Sequence, residues 1–112
     1  MKSIFLLATF FLTESCFAHP VGNNKPPELW SWFKDLEKSV KACEIQSSFI
    51  LQNLHFENRT ENQYGIYATY RDNSIVVKCI EVGEKSKLWV AVAGSDRDSV
   101  EALRNMIIKE IN

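Results

Sequence analysis

Histidine is scarce in this 112-residue chain, which holds only His19 and His55. Acid–base and nucleophilic chemistry needs a positioned His, Glu or Asp beside a nucleophile, and a zinc centre needs at least three protein ligands. With one histidine in a polar lead and the other standing alone, neither a triad nor a zinc site assembles, and the chain reads as a non-enzyme without a cofactor. Charge of one sign is lacking too. Thirteen Lys and Arg against fourteen Asp and Glu leave a formal net charge of -1. Lys34, Lys38, Lys41, Lys78, Lys85 and Lys87 are interleaved with Asp35, Glu37, Glu44, Glu81 and Glu84. Such a surface has no cluster to replace phosphate counterions, so a nucleic-acid partner is excluded. A membrane-spanning run is missing as well: Ile4–Leu12 is nine residues with only Thr9 polar, about half of the roughly 20 that a helix needs to cross. The acidic pair Asp96 and Asp98 is too sparse for a calcium loop and suits helix capping.

What is present at the start is a leader. Lys2, the apolar run, and then Cys16 and Ala18 at the positions a signal peptidase reads predict cleavage between Ala18 and His19. Lipid attachment at Cys16 would need small or apolar residues before it, and Thr13, Glu14 and Ser15 fit that poorly. The expected organisation is a signal peptide over 1–18, a flexible lead over 19–27 and a single domain over 28–112. The product is periplasmic or secreted, and its roughly 94 residues suffice for one modest core. Loss of Cys16 leaves Cys43 and Cys79 as an even pair in an oxidising compartment, where they are expected to bridge. Closing a loop of about 36 residues stabilises by roughly 3 to 4 kcal/mol in the chain-entropy picture. With no CxxC and no histidine nearby in sequence, a staple is the expected role.

Pro27 suits a first helical turn, and Leu29, Trp32, Phe33, Leu36, Val40 and Cys43 recur at three- and four-residue spacing, which predicts an amphipathic helix over 28–45. Trp30 falls about a quarter turn off that stripe. Four runs rich in β-branched and aromatic residues follow at 48–58, 63–71, 74–82 and 87–93. The short connections RTEN, DN and GEKS predict an antiparallel meander. Asp98 with Glu101 three residues on forms a capping box for a closing helix that buries Val100, Leu103, Ile107 and Ile111. The predicted class is α+β: a four-stranded antiparallel meander with an N-terminal and a C-terminal helix packed on one face.

Strand alternation then divides the sheet. If Cys79 reaches Cys43, Ile75 and Val77 share its face with Ile66, Ala68, Tyr70, Leu88, Val90 and Val92, together with Ile50, Leu54 and Phe56 of the first run. The opposite face receives Leu51, Asn53, His55, Tyr67, Thr69, Arg71, Lys78, Ile80, Trp89 and Ala91. Aromatics and Arg dominate interface energetics, so Trp89 and Tyr67, with Lys78, Arg71 and His55 around them and Trp30 unclaimed on its helix, are the candidate binding residues. A second reading is a metal-binding or enzymatic protein: a mature N-terminal His19 could chelate copper through its amine and imidazole, with His55 completing the site. Asn58-Arg59-Thr60 has the form of a glycosylation acceptor, which a eukaryotic secretory pathway alone would read; the short leader points to a bacterium.

The leader, the strands in "YGIYATYRDNSIVVKCIEV", the strand "LWVAVAG" and the closing "DSVEALRNMIIKEI" together resemble small bacterial envelope proteins, often lipoproteins, with a helix, four strands and a helix. The resemblance covers roughly residues 37–112. It implies a compartment and a fold and brings no catalytic motif. The expected function is a binding or interaction module, such as an envelope accessory or an inhibitor-like protein, acting on a protein or small ligand.

Overall fold

Where the spacing predicts a helix, the chain starts with a strand. The computed structural model describes residues 25–112. The leader, the cleavage point after Ala18, the lipidation question at Cys16, and His19 lie outside the described residues. The elements run β1 (Glu28–Leu36), α1 (Val40–Asn53), β2 (Glu57–Asn62), β3 (Gly65–Tyr70), β4 (Asn73–Val82), β5 (Lys85–Gly94) and α2 (Arg97–Glu110). The α+β class holds, but the antiparallel sheet has five strands, in the order β1-β5-β4-β3-β2. The last three strands of the expected meander are β3, β4 and β5; β2 overlaps the first expected strand only at residues 57–58, and β1 returns to pair along the free side of β5.

The difference lies between residues 28 and 58. Leu29, Trp32, Phe33 and Leu36 fit helical spacing, yet Trp30, Trp32, Lys34 and Leu36 also alternate, and Trp and Phe favour a pleated, half-buried surface. β5 offers an open edge, and pairing with it decides the outcome. The helix starts later, where Ser39 Oγ accepts from the Ala42 N–H at 3.1 Å as an N-cap. From there Cys43, Ser47 and Leu51, four residues apart, form the buried stripe of α1. The strand expected over 48–58 is therefore mostly the second half of that helix. Leu51, expected on the open face, is fully buried in the core, and Phe56 is buried just past the helix end.

The hairpins turn at Gln63–Tyr64, Arg71–Asp72 and Gly83–Glu84, between the strands bounded above. The segment expected as the first turn, RTEN, lies inside β2. Gly83 (φ 63°) and Arg71 (φ 56°) supply the left-handed backbone that tight antiparallel turns require. α2 begins two residues earlier than the capping box predicts: Asp96 is the N-cap, its Oδ2 accepting from Ser99 N at 2.9 Å, and Asp98 sits in the first turn, where a carboxylate complements the helix dipole.

Both helices lie on one side of the sheet, α1 over β4 and β5, α2 over β5 and β1. The alternation expected for β3 to β5 is observed. Ile66, Ala68, Ile75, Val77, Cys79, Leu88, Val90 and Val92 are buried beneath the helices with Val100, Leu103 and Ile107. The Cys43–Cys79 disulfide, with Cα atoms 6.0 Å apart, ties α1 to β4. At the far end of α2, Lys34 Nζ donates to the carbonyls of Ile108 (2.7 Å) and Ile111 (2.8 Å), a cation on a helix C-terminus.

Candidate functional site

With both helices on one side, the other face of the sheet is uncovered among the described residues. Directly opposed residues in an antiparallel pair point to the same side, so the register defines this face row by row. Phe33 opposes Trp89, which opposes Lys78. Ser31 opposes Ala91, Ala91 opposes Val76, and Val76 opposes Tyr67. Asp35 opposes Lys87, which opposes Ile80.

The centre of the face is apolar. Phe33 and Trp89 rings lie 6.4 Å apart at 35°, in the range of favourable aromatic pairs. Leu29 (70% exposed), Phe33 (53%) and Tyr67 (41%) stand in solvent, while Val76, Ile80 and Trp89 are half-buried. Ala91 is small enough that its neighbours shield it. Charges border this centre on one side. Lys87 Nζ meets Asp35 Oδ1 at 3.1 Å and lies 5.8 Å from the Phe33 ring centroid; Lys85 meets Glu37 at 2.8 Å. The hydrogen bond and the charge of Glu37 raise the pKa of Lys85 above its ordinary value. Lys78 Nζ is bonded to a neutral partner, the Gln63 carbonyl, at 2.8 Å. It leaves a cationic group in the Trp89 row without a carboxylate among the described residues.

Of the residues expected at the site, Trp89, Tyr67 and Lys78 come together on this face. The others do not. Trp30 is on β1 and turned toward α2, with the guanidinium groups of Arg97 and Arg104 at 5.5 and 5.3 Å from its ring centroid. Arg71 is in the β3–β4 turn with its guanidinium 5.4 Å from the Tyr70 ring, and Tyr70 stacks on core Phe56 at 4.8 Å. His55 is exposed just beyond α1 in a left-handed conformation (φ 63°), because the strand expected to carry it is a helix. Among the described residues no three His, Cys, Asp or Glu side chains stand together in a way that could hold a metal ion. Asn58 (φ 54°) is on exposed β2, its Nδ2 donating to Thr69 Oγ1 at 2.8 Å.

Sequence reasoning missed Phe33 and Leu29, which join the face because β1 is a strand. Their signal was the alternation of β1, hidden by a spacing that also matches a helix. Elsewhere, a cleft of about 310 Å³ lies between α1 and the β2–β3 hairpin, lined by Glu44, Glu61, Gln63, Ile66 and Lys78. Ile45 and Phe49 are exposed one turn apart on the outer side of α1. No described helix is long and apolar enough to cross a membrane. Compared with protein-family models, curated proteins and solved structures, the chain matches none.

Proposed function

We propose that the protein is an exported interaction module, an envelope accessory or inhibitor-like domain, whose contact surface is the open face of the sheet. The observation that carries this reading is the set of apolar residues Phe33, Trp89, Val76 and Tyr67, with Leu29 at the edge, on a face that no described element covers. A contiguous exposed apolar patch on a small domain marks a contact site, and aromatic anchors within a polar rim are the usual source of binding energy. The charges indicate the partner's chemistry. Asp35 and Glu37 are already paired with Lys87 and Lys85, whereas Lys78 meets no carboxylate among the described residues. The partner is accordingly a protein that presents apolar side chains around a carboxylate. The leader and the Cys43–Cys79 staple support an oxidising, exported setting.

Three immobilised forms test this against the exported fraction of the producing cell: the unaltered chain, Trp89→Ala and Ile45→Ser, the last on the opposite side of the molecule. A specific protein is expected on the first and third and is lost on Trp89→Ala. Equal retention by all three forms, or none by any, contradicts the assignment.

A further inference from the structure

The two edges of the sheet are built differently. β2 is defended: its six residues are all exposed, three carry charge, and a register irregularity with a left-handed Asn58 interrupts its pairing. These are the devices that stop an edge from recruiting another strand. β1 has none of them in its centre. It pairs one-to-one with β5 over all nine residues, without a bulge, and its middle is Leu29-Trp30-Ser31-Trp32-Phe33. Among the described side chains Arg104 reaches this edge, with Nη1 donating to the Ser31 carbonyl at 3.2 Å and its guanidinium near the rings of Trp30 and Trp32. A carbonyl has two acceptor sites, so that contact leaves room for a strand partner.

We infer that β1 pairs antiparallel with β1 of a second copy of this chain about a two-fold axis through Ser31. The register follows from the sequence. In an antiparallel ladder, opposed residues are either both hydrogen-bonded or both not. A self-pairing strand can therefore oppose residues of like parity alone, with the axis at a residue position. An axis at Trp32 would set Leu29 against Asp35 and Glu28 against Leu36; an axis at Trp30 would set Glu28 against Trp32 and Phe33 against Pro27. An axis at Ser31 opposes Glu28 to Lys34, Leu29 to Phe33, Trp30 to Trp32, and Ser31 to itself, so opposite charges meet and apolar residues meet.

Other features agree with this choice. Pro27, opposed to Asp35 of the second copy, has no N–H to donate and ends the ladder where β1 itself begins. Trp32 is 57% exposed on the helix side of the edge, and the Trp30–Trp32 pairing would give it a cross-strand neighbour. The product is a continuous ten-stranded sheet, twice the strands of one copy, with the helices of both copies on one side and the two apolar faces contiguous on the other. This inference concerns the edge and stands apart from the identity of any face-bound partner.

Sedimentation velocity of the full chain across micromolar to millimolar concentration is expected to show a monomer–dimer equilibrium. Ser31→Lys sets two like charges against each other at the axis and is expected to weaken association about tenfold or more. Glu28→Lys, which opposes Lys34 with a like charge, is expected to act in the same direction and serves if Ser31→Lys fails to fold. The register is read by cross-linking, with Cys16→Ser in every variant. Opposed residues have Cα atoms roughly 4.5 to 5.5 Å apart, within disulfide range. Ser31→Cys is then expected to give a covalent dimer on non-reducing gels, and Phe33→Cys to give none. A chain monomeric at every concentration, a dimer indifferent to both charge variants, or cross-linking at position 33 equal to that at 31 overturns the inference.

Discussion

At the scale of single residues, neighbours in sequence have opposite tasks. Trp89 and Val90 are adjacent on β5, so one faces solvent and the other the core. Val90→Ala removes fully buried methyls beneath the helices and is expected to cost on the order of 1 to 3 kcal/mol. Trp89→Ala removes a half-exposed ring that packs on Phe33 and is expected to cost less than Val90→Ala in the same denaturation experiment. Lys34 is a further residue whose effect can be forecast. Its ammonium holds two carbonyls at the end of α2, so Lys34→Met is expected to lower stability by about 1 kcal/mol, an amount typical of a cation at a helix C-terminus. Trp89, Tyr67 and Lys78 were legible in the sequence because strand alternation is strict and Cys79 fixed which side was buried. His55, Arg71 and Trp30 were not, since each depended on an element boundary or a turn conformation that alternation cannot read.

Elements depend on close approaches that single substitutions can test. At the end of β5, Gly94 lies against buried Asn73 and Val100: a Cβ there would stand 1.9 Å from Asn73 Oδ1 and 3.0 Å from Val100 Cγ2. Asn73 is itself engaged with Ser99 Oγ at 3.0 Å, so it cannot yield freely. Gly94→Ala is expected to destabilise by about 1 to 3 kcal/mol, as overpacked sites do, measured by chemical denaturation. The staple is a second test at this scale. The paired Cys43→Ser, Cys79→Ser chain releases α1 from β4 and is expected to lose roughly 3 to 4 kcal/mol. β3, β4, β5 and α2 were legible because their apolar positions obey one period each. β1 and α1 were not, because residues 28–36 satisfy both periods and the apolar run from Phe49 to Phe56 satisfies either. What separates them is tertiary: an open edge on β5 for β1, and a Ser39 cap that starts the helix at Val40.

At the scale of the whole molecule, the two layers leave one face of the sheet uncovered among the described residues, and that asymmetry is the basis of the proposed function. The most direct test replaces Tyr67, on β3 and well away from the β1 edge, with a photo-reactive phenylalanine and illuminates the protein in the cell that makes it. The account predicts one discrete adduct with a different protein, its yield falling sharply when Trp89→Ala is added. No adduct, an adduct made of a second copy of this chain, or a yield indifferent to Trp89 would contradict it.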